Sequence, residues 1–182
     1  MQLPVMLIAA TFGLAATPAL AQQAQCIQND THLVIAQQRS DEAGTDFIIR
    51  PPARGKIACR YEQHDGDILI GSPDDPLWYE ALSGNYLILT RSTGPQGDLV
   101  IYDLATDPST PLLDLPAADD LTIGEAEITF WERTIAGTAA NCPQYAEHQG
   151  YGFGSVIVEQ RIFDITTGQV RSTGASRCSN TQ

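Results

Sequence analysis

Lysine is almost absent from this chain. Lys56 stands alone against nine arginines, and with 22 acidic residues the formal net charge is -12. Such a surface repels nucleic acid and anionic lipid, which excludes both as partners; it suits a basic partner, divalent cations or plain solubility in salt. Histidine is scarce as well. His32, His64 and His148 form no His-x-x-x-His or His-Glu-x-x-His pattern, so helical zinc-protease chemistry has no ligands to use. No Cys-x-x-Cys occurs, and no histidine sits at ligand spacing from a cysteine pair, which argues against zinc. A Gly-rich phosphate loop, a dinucleotide fingerprint and the Gly-x-Ser-x-Gly elbow are all missing; Ser155 lies instead in Gly-Phe-Gly-Ser-Val. Past residue 20 no unbroken apolar run is long enough to span a bilayer, and no helix-length window keeps a three-to-four apolar spacing.

What is present begins with an uncharged apolar run from Leu3 to Leu20 that closes on Ala19-Leu20-Ala21. Small residues at those two alanine positions are what a signal peptidase requires, so residues 1–21 read as a signal peptide cleaved before Gln22. Pro4, Gly13 and Pro18 interrupt the run, and Thr11 and Thr17 dilute it, against a membrane anchor. It departs from the usual signal in having no Lys or Arg ahead of it. Gln23-Ala24-Gln25 before Cys26 is too polar for lipid attachment. A chain so exported is expected in the periplasm or outside the cell, where thiols oxidise.

All four cysteines follow the signal, and four allow three pairings. Cys26 with Cys59 and Cys142 with Cys178 is the sequence-local choice, each closing a loop of 30–40 residues worth about 3–4 kcal/mol.

Residues 22–182 read as one β-rich domain. Strand-like runs cover 31–36, 45–50, 56–62, 67–71, 85–91, 98–104, 127–134, 154–165 and 169–173, with turn residues between them. The expected fold is all-β, an antiparallel meander forming a sandwich or an open, barrel-like sheet. Two segments echo one another: Ile101-Tyr-Asp-Leu-Ala-Thr-Asp107 and Ile162-Phe-Asp-Ile-Thr-Thr-Gly168. In each, Asp103 or Asp164 can accept backbone N–H bonds of the turn, and Asp107 or Gly168 can take the left-handed position. These pieces resemble the outer hairpin of a β-propeller blade, on a chain similar in kind to small exported bacterial proteins. The resemblance implies a small propeller-like fold as the alternative architecture. Residues 101 and 162 lie 61 apart, longer than the roughly 40–50 of common blades, and an inserted loop at 135–153 accounts for the excess.

That loop holds the main candidate binding residues. Asn141 to Gly150 reads as a short helix with Asn141 as N-cap, Gln144 completing a capping-box-like pair and Gly150 as terminator. Tyr145, His148, Tyr151 and Phe153 give it an aromatic recognition surface. Cys142 with His148 suggests a nucleophile and base, but six helical residues would place them on different faces. Asp65, Asp67, Asp74 and Asp75 bracket one short strand, and Asp119, Asp120, Glu125 and Glu127 form a second acidic cluster; either could hold calcium, although no twelve-residue EF-hand pattern is present. Trp78-Tyr79 and Phe130-Trp131 suit core packing, with one member of each pair turned outward.

No organic cofactor is implied. The expectation is a non-enzymatic, exported or envelope-associated protein that binds an unidentified partner, a basic protein or an envelope component, through the Cys142 loop and an acidic face. The competing readings are a hydrolase of envelope or extracellular polymers, with His148 or His64 meeting carboxylates in a cleft, and a domain stabilised by calcium.

Overall fold

The computed structural model describes residues 23–117 and 120–182; the expected signal peptide over 1–21 and Asp119 lie outside that range. Among the described residues, twelve strands form three four-stranded antiparallel sheets, each a meander in chain order. Sheet 1 holds β1 (Gln25–Gln28), β2 (Leu33–Gln38), β3 (Thr45–Arg50) and β4 (Ile68–Ile70). Sheet 2 holds β5 (Leu77–Ser83), β6 (Tyr86–Arg91), β7 (Asp98–Asp103) and β8 (Leu113–Leu115). Sheet 3 holds β9 (Thr122–Ile123), β10 (Glu127–Ala136), β11 (Gly154–Asp164) and β12 (Gln169–Thr181), with helix α1 (Tyr145–Gly150) between β10 and β11. The fold is all-β, as expected, and none of the sheets closes into a barrel.

The sheets stack because the middle one is apolar on both faces. Leu87 and Leu89 of β6 pair across the ladder with Tyr102 and Val100 of β7 and face sheet 1, meeting Val34, Ala36, Phe47, Ile49 and Ile70. Ile88, Leu99 and Ile101 face the other way and pack on Ile128, Phe130 and Phe163 of sheet 3. A strand buried on both sides reads as a continuous apolar run instead of an alternating one, which is the pattern of Tyr86-Leu-Ile-Leu.

Sheet 1 has a second apolar face, Leu33, Ile35 and Ile48, covered by Ala53 and Ile57. This is why 56–62 is not a strand, contrary to expectation. It crosses the back of the sheet as irregular cover, tethered by the Cys26–Cys59 disulfide. Four further strands carry no clear pattern: β1 is glutamine-rich, β8 and β9 are very short, and β5 is broken by a register shift between Tyr79 and Ala81 that disturbs its alternation. β12 runs well past the expected residue 173 through Ser, Thr and Gly, held by its ladder to β11.

The two echoing segments occupy equivalent places, the exits of the third strands of sheets 2 and 3. Asp103 accepts a bond from Ala105 N at 3.0 Å, and Asp164 accepts from Thr166 N and Thr167 N at 2.9 and 2.8 Å. Gly168 takes the left-handed position at φ 68°. Asp107 does not; its carboxylate instead accepts from Ser109 N and the Thr110 hydroxyl, which closes the turn without positive φ.

One ion pair anchors the return from the long 51–67 connection. Arg50, ending β3, donates from Nε to Asp67 at 2.6 Å and from Nη2 at 2.7 Å, and His64 N donates to the same carboxylate at 2.6 Å. The Asp67 side chain is 4% exposed. The guanidinium holds its carboxyl down at about 2, with His64 N adding to the effect against the cost of burial. A folded-state value below the unfolded one, about 3.9, means the stabilisation is fully present above pH 4 and is lost as pH falls through about 2. Arg50→Ala should therefore cost about 2–3 kcal/mol at neutral pH, below the range for deeply buried pairs because Arg50 keeps an edge to solvent. Urea unfolding at pH 7 and pH 3 checks this. The gap between wild type and variant must narrow at the lower pH, and an unchanged gap would count against the assignment.

Candidate functional site

The inserted loop is confined to residues 137–153, two residues shorter at its start than expected, because β10 continues to Ala136. Its neck is closed by Gly137 N donating to Ser155 O at 2.8 Å. A Cβ at position 137 would lie 2.6 Å from Ser155 Cβ, so only glycine allows the two strands to approach there. Next comes a tight turn in which Asn141 Oδ1 accepts from Thr138 N at 2.6 Å and its amide donates to Ala136 O. Asn141 thus organises the turn ahead of the helix and does not cap it. The N-cap position falls to Gln144, without a side-chain cap bond, and Gly150 is the last helical residue, not the terminator. Gly152, at φ 80°, takes the left-handed turn back toward β11.

The Cys142–Cys178 disulfide joins this loop to β12, with Cα atoms 5.3 Å apart. Both bridges are the sequence-local pairs, and two disulfides mark an oxidising, non-cytoplasmic setting. His148 lies in the last turn of α1. Its Nδ1 sits 2.8 Å from Ser155 Oγ, which pins the helix to the start of β11. The imidazole and both sulfurs of the disulfide also come together, with ligand atoms all within 4.8 Å of one another. This corrects the angular argument that separated Cys142 from His148. Cys142 precedes the helix, so helical geometry does not relate them, and a histidine does stand at ligand distance from a cysteine pair. Cys142 is nevertheless oxidised and is no nucleophile as the structure stands.

Of the expected binding residues, Tyr145 and Phe153 are half-buried, and Phe153 N donates to His148 O at 2.9 Å. Tyr151 is 72% exposed. Beside the disulfide lies an open groove of about 420 Å³ lined by Ile135, Asn141, Pro143, Gln144, Ile157 and Arg177. Ile135, at its rim, is 59% exposed. Arg177 lies over the Trp131 ring at 4.2 Å and donates to Asp120. Trp131 and Phe130 divide as expected of strand neighbours: Phe130 is fully buried and Trp131 is half-buried. Sequence reasoning missed Arg177, its stacking on Trp131 and the Ser155 contact. Arg177 and Trp131 meet only through strand pairing across β11, and no spacing along the chain encodes that.

The acidic candidates are dispersed. Asp67 is held by Arg50, and Asp75 by Arg91 at 2.6 Å; Asp65 and Asp74 are exposed turn residues. Arg91 also reaches Asp114 at 2.7 Å, and these hydrogen-bonded carboxylates raise its pKa further. Asp120 and Glu127 are paired with Arg177 and Arg171. Among the described residues, Cys142, His148 and Cys178 make the one group of three or more His, Cys, Asp or Glu side chains gathered closely enough to hold an ion. No helix among the described residues is long and apolar enough to cross a membrane. Comparison with family models, with curated proteins and with solved structures returned no match to this chain.

Proposed function

We propose that this chain is an exported, non-enzymatic binding protein of the periplasm or extracellular space, and that the 137–153 loop is its recognition element. The observation that carries the reading is a loop fixed at three points with an aromatic left outward. The neck at Gly137, the disulfide at Cys142 and the His148–Ser155 contact hold it, while Tyr151 remains exposed on the loop and Ile135 remains exposed on the groove. Ordering costs are met on folding, so little is lost when a partner docks. Tyrosine is also a residue type that dominates binding energy at interfaces. The net charge of -12 favours a partner with basic side chains, a protein or an envelope component.

The hydrolase alternative rests on the Ser155–His148 contact. Ser155 is only 8% exposed, and its hydroxyl serves to hold the helix, so a substrate has poor access to it.

The test is crosslinking of tagged protein in envelope extract, comparing wild type with a Tyr151→Ala, Ile135→Ser double variant. Leu69→Ser, on sheet 1 and 49% exposed, is the control. Partners captured by wild type should fall about tenfold or more with the double variant, consistent with loss of a hot spot, and persist with the control. Raising ionic strength should weaken capture. Equal capture by all three proteins, or capture insensitive to salt, would sink the proposal.

A further inference from the structure

We propose that Cys142, Cys178 and His148 bind a zinc ion when the disulfide between the two cysteines is reduced, so that the loop is pinned either by a sulfur–sulfur bond or by a metal. The three ligand atoms already lie within 4.8 Å of one another. Tetrahedral zinc with Zn–S near 2.3 Å holds its sulfurs roughly 3.8 Å apart. With Cα atoms 5.3 Å apart, rotation of the cysteine side chains reaches that separation without moving either backbone.

Two further features suit an ion. Ser155 Oγ engages His148 Nδ1 at 2.8 Å, which leaves Nε2 as the nitrogen available to metal. A partner on the second ring nitrogen is the arrangement that orients a ligating histidine. Cys142 is buried, while Cys178 lines the open groove, which gives an ion a way in and a water room at the fourth position. Arg177, the nearby cation on that groove, is engaged by Asp120 and the Trp131 ring. Two thiolates and a neutral imidazole then neutralise the dication.

The chemistry balances with a dithiol as reductant. Thiol–disulfide exchange passes two electrons and two protons from the dithiol to the Cys142–Cys178 bond, yielding two cysteine thiols and the oxidised reductant. Zinc displaces one proton from each thiol, forming two Zn–S bonds, and takes the imidazole lone pair without releasing a proton. The Cys26–Cys59 pair has no such histidine within reach among the described residues, so it should not respond in this way.

The experiment uses the chain reduced with a phosphine, which competes for metal less than a dithiol, and titrated with cobalt(II) as a visible zinc probe. Wild type and a Cys26→Ser, Cys59→Ser variant should each take up one equivalent, with thiolate charge-transfer bands and the intense visible bands of tetrahedral cobalt, and zinc should displace it. His148→Ala should bind about tenfold more weakly or worse. Cys142→Ser, Cys178→Ser should show no thiolate bands. The proposal is overturned by unchanged affinity in His148→Ala, or by bands that persist in the Cys142→Ser, Cys178→Ser variant. It is equally overturned if the reduced wild-type chain, folded or unfolded by circular dichroism, takes up no tetrahedral cobalt. Because wild type and the Cys142→Ser, Cys178→Ser variant form a complete comparison, failure of the Cys26→Ser, Cys59→Ser variant to fold does not blunt the test.

Discussion

Phe163→Ala is expected to lower unfolding stability by about 4 kcal/mol, within the range for emptying a large aromatic site. The ring is fully buried and stands edge-on to Tyr86, with centroids 5.1 Å apart and planes at 88°. It therefore joins sheet 3 to sheet 2 directly, together with Ile128 and Phe130. Relaxation into the space is limited, because Tyr86 is itself hemmed in by the 164–168 turn: a Cβ on Gly168 would come within 2.6 Å of its hydroxyl oxygen. Chemical denaturation gives the loss. The companion Phe163→Leu should retain more than half of the stability lost by the alanine variant, since most of the volume stays filled. A loss below about 1.5 kcal/mol for alanine would mean that the 2–3 interface is not closely packed as described.

Removing the Cys142–Cys178 bridge should be nearly as costly. The bonded residues are 36 apart, and restricting the unfolded chain over that length is worth about 4 kcal/mol in the chain-entropy treatment. The Cys142→Ser, Cys178→Ser variant should show that loss in urea unfolding. The effect should also be local. Amide protons of α1 and of the last residues of β12 should exchange faster in the variant, while those of β6 and β7 keep their relative order as the slowest. Acceleration equal to the global loss in all three sheets, with no excess in α1 and the end of β12, would show that the bridge acts only on global stability.

How much of this was legible in the sequence follows from which physical signals run along the chain. β3 and most of β6, β7, β10 and β11 are marked by β-branched and aromatic runs between turn residues, and the structure places them there. Gly168 and the two Asp-led turns were readable because turn chemistry is local. The run 56–62 reads as a strand because burying Ile57 and bonding Cys59 gives it an apolar, strand-like composition, while its backbone crosses a sheet without joining one. The stacking of three sheets left only a partial trace, in the unbroken apolar core of β6. At the candidate site, the loop, its disulfide and its aromatics were visible as composition. The meeting of His148 with Ser155 and the sulfurs was not. It depends on a turn at residues 138–142 that breaks any helical relation between Cys142 and His148.

Every sheet is built from one uninterrupted stretch of chain, and each disulfide closes inside a single stretch: Cys26–Cys59 spans β1 to β3 and its cover, and Cys142–Cys178 ties the β10–β11 loop to β12 within the stretch that builds the third sheet. A polypeptide threaded N-terminus first through a pore would thus present its thiols as consecutive couples. An oxidase joining thiols in their order along the chain would then make the Cys26–Cys59 and Cys142–Cys178 bonds directly.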